Sequence, residues 1–419
     1  MGVEPAGTSA PPCPPSATPA LSGVLGLVAA VASVWGLRGW QAAPYERALV
    51  VVALVGGVIL ATDRAFGVHA RETTGLGAPA GADGGRVARK LVGLAATLGI
   101  VAALYALFPE YAGAFYDPAW SAVRRLAPWF LAAAPVYVWA VDRRQNDPED
   151  AYAAIGAWLL LRRPFADLPG LVLHARGWVV RGFFLPLMFV YASRDLAGLT
   201  ARLNGPTPHG FLAFYEVLYS TGYLVDLLFT CAGYALTLRL ADTHTRSVET
   251  TSLGWVACIL CYQPFWRVVG EHYLAYENDK IVWGPRLAAL PWLQVAWGCA
   301  ILACVAVYAW ATISFGVRFS NLSHRGVITS GPYRWLRHPA YVAKNVSWWL
   351  IAVPFFYEGS PVTAVRGCLL LLGLNGLYAL RAWTEERHLA QDPTYRAYQA
   401  WIDDHGLAAK LRRGLRRAG

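Results

Sequence analysis

A chain of 419 residues that is 56% hydrophobic and only 15% charged, with 18 tryptophans, is too apolar for a soluble enzyme. Its formal net charge of +10 sits in loops that flank apolar runs, without a basic stripe interleaved with aromatics, which argues against a nucleic-acid partner. A helical crossing of a ~30 Å hydrocarbon core takes about 20 residues. The expected fold is therefore all-α, a polytopic membrane helix bundle of about ten transmembrane helices, with membrane lipid as its surroundings and no room for a large soluble domain.

Residues 1–20, MGVEPAGTSAPPCPPSATPA, are rich in Pro, Ala and Ser and are expected to be a disordered tail. No basic region precedes the first apolar run, so a cleaved signal peptide is not expected. Apolar runs then recur at 21–37, 48–62, 91–108, 129–141, 177–192, 211–238, 252–266, 289–315, 339–357 and 362–383. Residues 148–162, PEDAYAAIGAWLLLR, read as an amphipathic helix on the surface rather than a span. On a ten-span count Lys and Arg concentrate in alternate loops, which places both termini, residues 315–338 and everything after Trp383 on the cytoplasmic side. Abundant Ala, Gly, Arg and Trp with very little Lys suggest a GC-rich bacterial genome and hence an inner membrane.

Several polar features interrupt the apolar pattern. Glu216 and Asp226 fall in the sixth run, where carboxylates are costly without a partner, and Arg181 in the fifth run is a candidate. They suit either a polar cavity or a structural ion pair. Cys258 and Cys261 form a CxxC without nearby His or Cys and read as inert buried thiols. Glu271, His272, Tyr273 and Glu277, in EHYLAYE, read as a surface helix, and no metal site is expected. Asn321 and Asn345 each begin an N-x-S sequon on the predicted cytoplasmic side, where neither is glycosylated.

The densest polar stretch is GPYRWLRHPAY, residues 331–341. Pro339 suits the first position of a helix, so the ninth span starts there with His338 beside it. The free N–H groups of its first turn, next to Arg334 and Arg337, favour an anion. The short turn YEGSP makes the ninth and tenth runs an antiparallel hairpin, which returns RAWTEERHL to the same level. On that helix Arg381, Glu385 and His388 share one face.

GPYRWLRHPAY followed one hairpin later by RAWTEERHL and DPTYRAY resembles the isoprenylcysteine carboxyl methyltransferase family and its phospholipid methyltransferase relatives, over residues 289–419. That resemblance divides the chain into the tail, an N-terminal multi-span part of unknown role (21–288) and a catalytic part (289–419). It implies methyl transfer from the cofactor S-adenosylmethionine, at the cytoplasmic face, to a lipophilic small-molecule or lipid acceptor. By the resemblance His338, Pro339 and Tyr341 line the cofactor pocket with the turn Gly331, Pro332 and Tyr333 and with Arg337. Glu385 and Glu386 close its other wall, Glu385 doubles as a catalytic group, and Arg381 holds an acceptor carboxylate. Trp348 joins Arg381 in substrate binding, within a roof that includes Trp335, Trp349 and Trp383.

The chain departs from the family pattern where Ala343 replaces a usual glycine and is followed by Lys344 and Asn345, which bears on the acceptor. A carboxylate needs no general base, whereas an ammonium acceptor would need Glu385 or His388 to take its proton. Two other classes stay open: an NADPH-dependent membrane enzyme like the sterol reductases, which share RHPxY, and a transporter or sensor. Binding of S-adenosylmethionine and not NADPH discriminates among the three.

Overall fold

The computed structural model describes residues 12–81, 83–161, 167–206, 209–276, 283–357 and 360–418. In chain order the helices are α1 (Ala20–Gly36), α2 (Pro44–Ala65), α3 (Gly84–Leu107), α4 (Asp117–Asp142), α5 (Ala151–Leu161), α6 (Leu168–Asn204), α7 (Phe211–Ala235), α8 (Ser252–Ile259), α9 (Phe265–Val268), α10 (Trp283–Arg286), α11 (Pro291–Phe315), α12 (Pro339–Ala352), α13 (Pro361–Leu389), α14 (Pro393–His405) and α15 (Leu407–Ala418). Proline opens α2, α11, α12, α13 and α14, at the one helical position that needs no N–H. A short antiparallel pair, β1 (Ser247–Val248) and β2 (Ser323–His324), sets Ser247 opposite His324.

The protein is an all-α membrane bundle. Among the described residues six helices have the length and apolarity to cross a bilayer: α2, α3, α6, α7, α11 and α13. The other expected spans differ for identifiable reasons. Helix α1 has 17 residues and α12 has 14, a rise of about 21 Å for the latter. Helix α4 has the length, but Pro128 and Pro135 lie inside it and Arg124 and Arg125 dilute its apolarity. The run 252–266 is not one helix. Helix α8 stops at Ile259, and the chain turns through Gln263–Pro264 before resuming in α9.

Contacts at the two ends of the bundle fix how the chain travels. At one end, here the site end, the start of α1 meets the end of α2 through Ser22 Oγ to Asp63 Oδ1, 2.5 Å. The end of α7 meets the loop after α11 there, where Arg325 donates to the carbonyls of Gly233 (2.8 Å), Phe319 (2.9 Å) and Thr243 (2.6 Å). At the far end Asn204 reaches Arg38 O (2.8 Å), Trp283 packs on Tyr215, and Trp297 donates to Leu350 O (2.8 Å). Helices α7, α11 and α13 therefore descend to the site end, and α12 rises from it.

The expected tail is in part a strap. Residues 1–11 lie outside the described residues, but residues 12–19 cross the loop that precedes α12. Ala17 N–H donates to Val327 O (2.8 Å), Thr329 Oγ1 to Pro14 O (2.8 Å), and Arg71 Nη1 to Ala17 O (2.6 Å). Beneath it Arg318, fully buried, donates to Asp63 Oδ2 (3.3 Å), Thr18 Oγ1 (3.3 Å) and Asp242 O (3.0 Å). Ile313 and Val317 sit in the same core as side chains of α1, α2, α6 and α7. The expected boundary at 288/289 is thus crossed by a continuous core and by buried ion pairs.

Two further expectations are corrected. Helix α5 is apolar on every side, without the polar face of an interfacial helix, and it packs closely on α3. A Cβ on Gly93 would strike the Tyr152 backbone, and one on Gly156 the Arg89 backbone. Arg162 lies outside the described residues. Arg181 partners neither intramembrane acid: it stacks on Trp178 and donates to Gly177 O, because the Asp226 face of α7 turns to α11. Glu216 pairs instead with Arg202, 3.2 Å.

Candidate functional site

The loop after α11 returns through β2 and enters the turn Gly331–Arg334. Gly331 has φ +61°, and a Cβ there would strike Ser314 Oγ, so this turn needs glycine. Tyr333 is buried, and its carbonyl accepts from Tyr398 OH at 2.6 Å, which ties the turn to α14. Helix α12 begins at Pro339 as expected. Its first intrahelical bond runs from Val342 N–H to His338 O (3.1 Å), leaving the Ala340 and Tyr341 N–H groups ahead of it.

The hairpin brings α13 back to this level. His338 Nε2 lies 2.9 Å from Glu386 Oε1, Arg337 Nη1 donates to Glu386 Oε2 at 2.9 Å, and Arg337 Nη2 also reaches Asp403. Burial pulls against the charge of Arg337, yet Glu386 and Asp403 hold its guanidinium above the ordinary value. Arg337 is thus committed to carboxylates and Arg334 is exposed, so these two arginines do not form the anion cradle that the sequence suggested. Tyr341 OH donates to Glu385 Oε2 at 2.7 Å, and the His338 ring lies parallel to Tyr341 at 5.4 Å. Asn345, Asn375 and Trp349 link α12 to α13 one turn further in, Trp349 Nε1 donating to Asn375 Oδ1 at 2.8 Å.

Arg381 is the central cation. It is only 6% exposed, and its guanidinium faces the rings of Tyr341 (5.1 Å), Tyr262 (5.5 Å) and Tyr378 (5.8 Å). Nη2 donates to Asn321 Oδ1 at 2.5 Å, and Asn321 is held in turn by the hydroxyls of Tyr234 and Tyr262. Among the described residues no carboxylate pairs with Arg381; Glu385, four residues on, bonds Tyr341 instead. A buried guanidinium without a counter-ion is expensive unless an anion joins it.

These groups line a cavity of about 1000 Å³ bounded by α8, α11, α12 and α13. Of the sequence-predicted residues, Tyr333, Arg337, His338, Tyr341, Arg381 and Glu385 line it. A second cavity, of about 570 Å³, lies toward His324, Tyr395 and Tyr398 and shares Tyr333, Arg337, His338 and Glu385 with the first. Gly331, Pro332, Pro339 and Glu386 line neither cavity; Glu386 bonds Arg337 and His338 of the shared wall. Trp348 packs edge-on against Tyr378, with ring centroids 5.0 Å apart, and neither it nor Trp335, Trp349 or Trp383 is among the side chains that line the cavity. Trp335 and Trp383 are exposed, as interface tryptophans are.

Sequence reasoning missed Asn321, Tyr262, Tyr308 and Thr312. Asn321 had a visible signal, its sequon, whose real meaning is a buried amide facing Arg381. His388, placed on the Arg381 face, lines the cavity and meets Ser247 Oγ at 3.2 Å. Among the described residues no cluster of His, Cys, Asp and Glu could hold a metal, and Glu277 of EHYLAYE lies outside them. Glu271 and Tyr273 are exposed, in agreement with a surface segment.

Fold and site together define a membrane protein with a polar cavity at one end of its bundle. Residues 292–391, which span most of α11, then α12 and α13, match the model of the isoprenylcysteine carboxyl methyltransferase (ICMT) family, the family that the motifs resemble. No curated protein and no solved structure matches the chain.

Proposed function

We propose that this chain is an integral membrane methyltransferase that uses S-adenosylmethionine to esterify the carboxylate of a lipophilic acceptor. The observation that carries this reading is Arg381, a buried guanidinium caged by three tyrosines, oriented by Asn321 and, among the described residues, left without a carboxylate in a cavity that can receive one. The family match over the surrounding helices supports the reaction class.

The residues present fit the cofactor. Glu385 suits a cationic group, and the Ala340 and Tyr341 N–H groups with His338 suit a carboxylate. When bound, S-adenosylmethionine would supply an electrophilic methyl for the acceptor oxygen, with the neutral thioether as the leaving group. The protein's part is placement and charge. Glu386 holds His338 and Arg337 in position from behind, and Tyr341 fixes Glu385. Arg381 would hold the acceptor carboxylate in the larger cavity, and the cofactor would lie along the wall of Tyr333, His338 and Glu385 that the two cavities share. No proton has to leave a carboxylate acceptor, and no base is needed.

We place this site at the cytoplasmic face, with both termini on that side, on the bias of Lys and Arg among the loops, and the composition suits a bacterial inner membrane. The test uses the full chain purified in detergent. Titration with S-adenosylmethionine gives heat at micromolar affinity and NADPH gives none, and membranes fed tritiated methyl donor yield base-labile methyl ester in the lipid fraction. Binding of NADPH alone would refute the reading, and label recovered in base-stable methylamine would move the acceptor to an amine.

A further inference from the structure

The larger cavity ends, away from the shared wall, in a polar cluster that methyl transfer does not use. Asp226 of α7 is 7% exposed, and its two oxygens accept from Thr312 Oγ1 and Tyr308 OH, each at 2.5 Å. Lys344 of α12 approaches the same tyrosine from the cavity. Its Nζ lies 3.5 Å from Tyr308 OH and 4.7 Å from the ring centroid. Tyr308, Thr312 and Lys344 line the cavity; Asp226 stands behind them. An ammonium carries three donors, and this one has a single long contact among the described side chains and no carboxylate within ion-pair distance.

Charge decides what would meet it. The cavity is lined by three cations, Arg337, Arg381 and Lys344, and by Glu249 and Glu385, with Asp226 behind Lys344. Glu386 and Asp403 hold Arg337, Glu249 accepts from Thr251, and on the reading above Glu385 answers a cationic cofactor. At this end of the cavity Asp226 offsets Lys344, and Arg381 takes the one acceptor carboxylate. A second would leave an uncompensated buried anion, which low dielectric forbids. The partner of Lys344 is therefore an uncharged oxygen. Its position follows from α12. Tyr341, under the Arg381 guanidinium, and Lys344 are three residues apart on one face, which puts Lys344 about 4.5 Å deeper along the helix.

We propose that Lys344 is a specificity-determining residue and that the acceptor is a lipophilic monocarboxylate with a carbonyl or hydroxyl oxygen about one helical turn from its carboxylate. This deepens, and rests on, the carboxyl-methylation reading. The test compares dodecanoate with 4-oxo- and 5-oxododecanoate, by calorimetric binding to the full chain in detergent and by methyl-ester formation from tritiated donor. The better keto acid binds the parent protein at least about tenfold more tightly than dodecanoate, and in Lys344→Gln and Lys344→Met that ratio falls to within about twofold. Taking the ratio in each protein and comparing across proteins cancels differences in micelle partitioning. The parent ratio needs no variant, so loss of folding in either substitution leaves the test intact. Equal binding of keto and plain acids by the parent overturns the proposal, as does a ratio retained in folded Lys344→Met, which would make Lys344 only a counter-ion for Asp226. If S-adenosylmethionine binds but no acid is bound or esterified, the carboxyl reading itself falls, and this proposal with it.

Discussion

Replacing Arg318 by Met tests the claim that buried ion pairs tie α2 and the strap to the loop after α11. Arg318 is fully buried and joins Asp63 of α2, Asp242 of the loop after α7 and Thr18 of the strap. Removing one partner of a buried ion pair costs about 3–5 kcal/mol because a charge is left uncompensated. Here both acids keep other partners: Ser22 Oγ at 2.5 Å for Asp63, and Arg246 at 3.2 Å with Thr73 at 2.9 Å for Asp242. The lower end of that range applies, about 3 kcal/mol, which at about 2 °C per kcal/mol for a large chain lowers the melting midpoint by about 6 °C. The assay is tryptophan fluorescence during heating in one detergent at one scan rate, since such midpoints depend on rate. Asp63→Asn in the Arg318→Met background should restore part of the loss by removing the orphaned charge. A midpoint within 1 °C of the parent, or a double variant as unstable as the sum of the single losses, would refute the reasoning.

Three further outcomes follow from the geometry. Arg381→Lys keeps the charge but loses the guanidinium fork, so KM for the acceptor rises about 10- to 100-fold, the worth of a charge-assisted hydrogen bond, while the Kd for S-adenosylmethionine stays within about threefold. A drop in kcat at constant KM would contradict that role. Gly331→Ala forces an alanine to φ +61° against Ser314, at a cost of about 1–2 kcal/mol; cofactor affinity measured by calorimetry should fall several-fold. Burial holds the His324 imidazole down to about 4, although Asp392, 3.5 Å away, pulls it upward. The unfolded imidazole titrates near 6.5 and binds more protons between the two values, so stability is complete above about pH 6.5 and is lost as pH falls toward 4, by about 3 kcal/mol. His244, also held down to about 4 by burial, acts in the same direction. The midpoint should therefore drop between pH 7 and 4.5, and by less in His324→Gln.

What could be read in the sequence was whatever is local. The Gly331 turn, the helix start at Pro339 and the return of Arg381 and Glu385 to the level of His338 all follow from turn chemistry and helix periodicity over short spacings. The partners of Arg381 could not be read so. Asn321 comes from the loop after α11 and Tyr262 from the stretch after α8, and only tertiary packing brings them to α13. The break in the run 252–266 had a signal in Pro264, which an apolar count overlooks. The tryptophans misled because one residue type serves both membrane interfaces and pockets, and composition does not separate the uses. Arg181 misled because depth along a helix was legible while the azimuth of its neighbour was not.

The strap also governs the order in which the protein can be completed. Ser16 and Thr18 leave the ribosome long before their partners, Ser330 and Phe315, which lie 314 and 297 residues later. Contacts of such sequence separation form late and slow assembly. The Arg318 cluster, at the wall of the smaller cavity, closes only after α11 has been made and inserted, so until then Thr18 and Asp63 wait without Arg318, and a chain truncated before α11 would hold its earlier helices without the clasp that locks them.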